Sequence, residues 1–109
     1  MNVLHGVSYF FGGMFLVNMV PHFVAGMMGE PFQTPFAKPP GEGLSSSTVN
    51  VVWGFANGVI AYLLLVCVGR FEVRSLACVL PAAAGALLLA VQMSRHFGRF
   101  HGGNDPEQA

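Results

Sequence analysis

The chain has 109 residues, of which 53% are hydrophobic and only 9% charged, and its five basic and five acidic side chains cancel to a formal net charge of zero. An average soluble domain carries about 25% charged residues, and a fold of this length leaves roughly a third of its surface exposed, so a water-soluble version would have a greasy exterior. The few basic residues form no run, which removes the electrostatic footprint of a nucleic-acid binder.

Met1 to Gly29, Gly43 to Gly69 and Ser75 to Ser94 contain no charged residue. Each is about as long as the ~20-residue helix that crosses a hydrocarbon core roughly 30 Å thick. The pattern predicts an all-α membrane protein, with transmembrane helices at about 3–28, 49–68 and 76–93 in a single membrane domain, 1–103. The opening residues Met1 to His5 hold no Lys or Arg and the apolar run continues to Met28, so the first stretch reads as a retained span and not as a cleaved secretory signal.

Gly29-Glu30-Pro31 stops the first span, and the Pro-, Gly- and Phe-rich loop from Glu30 to Ser47 follows. Prolines push the residues before them toward extended conformations, so this loop should not be helical. Its paired Pro31-Phe32 and Pro35-Phe36 imply that it lies on the membrane interface or plugs into the bundle. Ser45-Ser46-Ser47-Thr48 supplies hydroxyls for the free amides at the start of span two. The short turn Gly69 to Arg74 predicts an antiparallel hairpin in which spans two and three are packed neighbours. Span three contains Pro81 and should continue as an amphipathic turn through Phe97, and the tail 104–109 reads as disordered by composition.

Three crossings place the amino terminus and the Arg70–Arg74 turn on one side, and the long loop with the carboxyl tail on the other. Arg70 and Arg74 stand against Lys38, Arg95 and Arg99, a difference too small to orient the chain by its positive charges. Polar groups inside a span are expensive, so their positions carry the remaining information. Asn18, His22 and Gly26 share one face of span one; Asn50, Gly54, Asn57 and Ala61 share one of span two; Gln92, His96 and Arg99 form a stripe on span three. Facing one another, Asn18, His22, Asn50, Asn57, Gln92, His96 and Arg99 would form a polar cluster biased toward the loop side. Two readings stay open for it: interhelical fastening, or a ligand or ion site.

Gly54 and Gly58 form a G-x-x-x-G that lets another helix approach, within the chain or in a second copy. His22 and His96, with His101, Glu30 or Glu42 on the same side, raise a metal or haem reading, but no histidine pair at ligand spacing and no Cys-x-x-Cys supports it, so neither metal nor cofactor is expected. The Ser45–Thr48 helix start with Arg95 and Arg99 opposite is a place for one lipid phosphate, although arginines after a span commonly act as interfacial anchors. Cys67 and Cys78 flank the turn at similar depth and read as small apolar packing or a disulfide.

Asn18-Met-Val-Pro21-His22-Phe23, Pro31-Phe32 through Pro35-Phe36-Ala-Lys-Pro-Pro-Gly41, Gly43-Leu-Ser-Ser, Asn50-Val-Val-Trp53-Gly54-Phe-Ala-Asn57 and the closing His96-Phe-Gly-Arg99-Phe-His101-Gly-Gly resemble a group of small bacterial three-span integral membrane proteins. The resemblance implies the bacterial cytoplasmic membrane and carries over no catalytic residues. The expected function is that of a small non-enzymatic membrane protein, which binds a lipid headgroup or small hydrophobic ligand or supports a membrane assembly or homo-oligomer. The competing classes are an oligomeric transporter or channel, disfavoured because no span contains Asp or Glu, and a redox component with a histidine-ligated cofactor.

Overall fold

A computed structural model describes residues 2–107. It is mostly helical, and three of its helices are long and apolar enough to cross a membrane. The first, α1 (Val3–Met27), starts where the Asn2 side chain accepts the amide of His5 at 2.8 Å. It stops because Gly29 takes φ +76°, a left-handed conformation that costs glycine little. The amides of Gly29 and Glu30 then fold back onto the carbonyls of Gly26 and Ala25 at 3.0 and 2.9 Å, which satisfies two of the orphaned helix-end acceptors.

The loop that follows is a small hairpin. Strands β1 (Phe32–Gln33) and β2 (Leu44–Ser45) pair antiparallel, Phe32 opposite Ser45 and Gln33 opposite Leu44. Thr34 pins its base: the hydroxyl meets that of Ser45 at 2.5 Å and accepts the amides of Phe36 and Ala37 at 3.2 and 3.3 Å. Ser46 caps α2 (Ser47–Tyr62) by accepting from Val49 N at 3.2 Å. From Leu63 to Val68 the helix widens to π geometry. The hydroxyl of Ser8 on α1 donates to the Leu64 carbonyl, which also takes the amide of Gly69 at 3.1 Å, and a widened turn accommodates that inserted partner. Helix α3 (Leu76–His101) carries Pro81 and ends at Gly102, φ +81°.

Two features differ from the sequence expectation. Helix α3 continues beyond the amphipathic turn expected through Phe97 and runs to His101, and Asn104 packs on Gly98 and donates to the Arg95 carbonyl at 2.8 Å. The last two tail residues lie outside the described residues. The second difference concerns the bundle: α1 packs along both α2 and α3, and α2 and α3 barely touch. The short connection does not force them together because α1 reaches into it. Tyr9 Oη accepts the amide of Arg70 at 2.9 Å, and Phe71 sets its edge on the Tyr9 ring at 5.8 Å. Overall extents of 45 × 31 × 22 Å suit three helices, each about 10 Å wide, laid side by side with α1 in the middle.

Glycines make both contacts of α1 close. Against α3, a Cβ on Gly13 would strike the carbonyl of Ala82, and one on Gly85 the carbonyl of Phe10. Against α2, Gly54 lies under the backbone of Phe23, where a Cβ would sit 2.7 Å from its nitrogen, and Gly26 lies under Ser47 and Val51. Gly58 faces the flexible Met19 side chain. Both cysteines are free, Cys67 exposed and Cys78 buried with its thiol 3.8 Å from the Arg70 carbonyl, so the equivalent depth expected of them does not give equivalent surroundings.

A crossing by α3 would put the Arg70–Arg74 turn and Gly103 in different compartments. Reporter fusions after Arg74 and after Gly103 should therefore give opposite signals, and matching signals would mean that α3, the helix between them, does not cross.

Candidate functional site

The polar residues of the spans gather into two hydrogen-bonded steps between α1 and α2. Near the middle, Asn18 donates to Asn57 Oδ1 at 2.9 Å, and Asn57 donates to the carbonyl of Trp53, one turn back on its own helix, at 2.8 Å. Toward the hairpin, His22 Nδ1 lies 2.9 Å from Asn50 Oδ1. Asn50 Nδ2 reaches the carbonyls of Phe32, Ser45 and Ser46 at 3.2, 3.2 and 3.0 Å. Three acceptors around one nitrogen fix the amide orientation, so Oδ1 must accept and His22 Nδ1 must carry the hydrogen. Asn50 is thus a joint, holding α1 through His22 and the hairpin through two strand carbonyls.

Aromatic rings close over that joint. Phe32, Trp53 and Phe97 set their faces or edges against His22 at centroid distances of 5.3, 6.4 and 6.3 Å, and His101 stacks on the other side of Phe32 at 5.4 Å and 12°. His22 is 2% exposed and Asn50 0%. Phe32 therefore plugs the bundle, whereas Phe36 stays largely exposed, its ring in a T-shaped contact with Trp53 at 4.9 Å. Among the described residues the buried indole N–H of Trp53 has no hydrogen-bond partner, a local cost of about 1–3 kcal/mol.

Helix α3 joins the site through its last turns. His96 Nε2 donates to the Gly41 carbonyl at 2.7 Å, and Arg99 Nη2 donates to His96 Nδ1 at 3.2 Å, so both ring nitrogens are used in tying the hairpin tip to α3. His101 Nε2 meets Gln33 Oε1 at 3.1 Å. Of the seven residues expected to cluster, Asn18, His22, Asn50 and Asn57 form the α1–α2 seam. His96 joins them through the hairpin, while Arg99 bonds to His96, lies over the Phe100 ring and remains exposed. Gln92 does not join: it is exposed on α3 and bonds to no other described residue.

The pattern of the spans did not single out Gln33 and Thr34, buried polar residues of the hairpin, or Ser8 and Tyr9, which hold the turn end. Thr34-Pro35 was the available signal, since a threonine before proline favours a hydroxyl-bonded turn. Among the described residues, no three His, Cys, Asp or Glu side chains converge in an arrangement that would hold a metal ion. Five grooves between and beside the helices are almost wholly apolar, and neither His22 nor Asn50 lines any of them, although Phe32 and Phe97, which pack on His22, line one. Comparison with protein-family models, curated proteins and solved structures gives no match to the chain.

Proposed function

We propose that this chain is a non-enzymatic, multi-pass protein of the bacterial cytoplasmic membrane that works as a component of a membrane assembly. The observation that supports this reading best is the closure of its polar joint at Asn50 and His22, beneath the hairpin. The amides of Asn50 and Asn57 and the imidazole of His96 spend their hydrogen bonds within the chain, and the hairpin seals the joint. Such a seam fastens helices and a loop; it offers no open polar chamber in which a substrate would react. Three long apolar helices whose outer surfaces carry Val, Leu, Phe and Met give the membrane its share of contact, and leave broad faces for partner helices.

A second reading has its own observation. Arg99 is steadied at the end of α3 by His96 and by the Phe100 ring, 5.0 Å from its guanidinium carbon, with Arg95 one turn earlier. A guanidinium held there suits an anionic lipid headgroup. One set of variants separates the two roles. In protein that resists alkaline carbonate extraction from membranes, His22→Ala should lower the melting temperature and leave copurified anionic lipid unchanged. Arg99→Ala should leave both nearly unchanged if the seam is fastening alone, with Arg74→Ala on the opposite side as the control. Loss of bound anionic lipid in Arg99→Ala without loss of melting temperature would favour the headgroup reading, and release of the wild-type chain by carbonate would remove the membrane reading itself.

A further inference from the structure

Because α1 lies between α2 and α3, both of its remaining faces are open. One carries a groove whose lining includes a span amide, Asn18. A cavity of 610 Å³ lined by Asn2, Gly6, Phe10, Phe11 and Pro81 meets a second of 260 Å³ lined by Phe11, Phe15, Asn18 and Leu89. They share Phe11, so together they follow the α1–α3 boundary from Asn2 to Asn18, about 24 Å at 1.5 Å per residue. That is a bed of helical dimensions along the turn-side half of the protein.

What distinguishes this groove is the group at its end. The Asn57 amide is oriented by its bond to the Trp53 carbonyl, so Oδ1 faces Asn18, and Asn18 must present its nitrogen in return. Among the described residues, Asn18 is left with one N–H and its whole carbonyl oxygen unpartnered, at mid-helix, on a half-buried side chain lining an apolar cleft. Hydrocarbon supplies nothing to satisfy them. Gln92 adds a second free amide on the same side of the molecule. It lies about three turns beyond Pro81 and one beyond Leu89, both of which line the groove, and it is exposed. The corresponding grooves on the opposite face, around Leu16, Phe55 and Val59 and around Val20, Pro21 and Ala90, contain no span amide.

We propose that two copies of this chain associate through the Asn2–Asn18 groove, with the two Asn18 amides hydrogen-bonded to each other. The primary amide is its own complement: the free N–H of one meets the free oxygen of the other, twice. Two copies inserted with the same orientation are related by a two-fold axis along the membrane normal, which brings equal depths together, so Asn18 meets Asn18 and Phe11 and Phe15 pack around it. The Gln92 amides lie toward the loop-side rim of the same interface. This inference rests on the membrane reading above and deepens its assembly role.

The test uses cysteine crosslinking in membranes at a low protein-to-lipid ratio, in a full-length background with Cys67→Ala and Cys78→Ala. Phe15→Cys should form a disulfide-linked dimer on mild oxidation, and Val20→Cys, on the opposite face of α1, should not. Adding Asn18→Leu to Phe15→Cys should weaken the dimer roughly sevenfold, the effect of two interhelical hydrogen bonds at their average strength in membranes. Asn18→Leu also breaks the bond to Asn57, so Asn57→Leu serves as the second variant: it removes the intramolecular bond, leaves Asn18 free to pair across the interface, and should keep or raise the crosslinking. Equal crosslinking at positions 15 and 20, or a matching loss in Asn57→Leu and Asn18→Leu, would overturn the interface. A carbonate-resistant protein that crosslinks at neither position would overturn the dimer and leave the multi-pass reading standing, whereas a protein found outside the membrane fraction would fail that reading instead.

Discussion

Gly13→Leu and Gly85→Leu should each destabilise the protein by about 3 kcal/mol or more, at the upper end of overpacking costs, because both side chains would be driven into a backbone carbonyl that has nowhere to go. The Gly13 position is met by the Ala82 carbonyl and the Gly85 position by that of Phe10, so either change pushes α1 and α3 apart along their whole contact. Gly54→Leu should rank with them, since its obstruction is the Phe23 backbone. Gly58→Leu and Gly12→Leu should cost less, because the obstructing atoms belong to the ends of the Met19 and Leu65 side chains, which can rotate away. The two glycines of the G-x-x-x-G are thus expected to be unequal. Leu87→Ala, on a side chain 67% exposed, should change stability by no more than about 0.5 kcal/mol. Unfolding of the six purified variants in one detergent gives the ranking; an order in which Gly58→Leu matched Gly85→Leu would contradict this placement of the helices.

That ranking shows what could and could not be read from the chain. Charge-free stretches of membrane length are a one-dimensional property, and α1, α2 and α3 were legible for that reason. The partners of each helix are not one-dimensional. The short turn after Val68 pointed to contact between the second and third helices, and nothing local in the sequence reveals that Tyr9, far away in α1, occupies that turn by taking the Arg70 amide. The same limit applies to the site. His22 and Asn50 lie on stripes whose spacing is visible, and the stripes do meet. Gln92 belongs to an equally good stripe, two turns beyond Gly85, and while Gly85 packs against Phe10 of α1, Gln92 is exposed. Spacing defines a face without defining what that face meets. The contribution of Gln33 and Thr34 was hidden because a loop has no period to read; their burial follows from the hairpin register, which brings Phe32 opposite Ser45 and onto the Asn50 amide.

The joint at Asn50 carries the second large expected effect. Asn50→Leu removes the side-chain donor to the Phe32 and Ser45 carbonyls and leaves the Nδ1 hydrogen of His22 without its acceptor. Each buried group stranded in this way costs about 1–3 kcal/mol, so the hairpin should open by at least ~3 kcal/mol more readily than in the wild type. Asn50→Asp keeps the shape but turns the donor nitrogen into an acceptor facing three carbonyls, and should be worse than leucine. His22→Phe should be milder, because the ring still fills the space between Phe32, Trp53 and Phe97 and only the Asn50 acceptor is stranded. Cleavage after Glu42 by a glutamate-specific protease reads the opening directly, since Glu42 lies in the connection between the two strands. When opening and closing are fast compared with cleavage, ~3 kcal/mol corresponds to an increase of about a hundredfold in the cleavage rate. The expected order of rates is Asn50→Asp, then Asn50→Leu, then His22→Phe, then wild type. A wild-type rate in Asn50→Leu would mean that the hairpin is held by its own strand pairing and by His96, with Asn50 contributing only to the seam between α1 and α2.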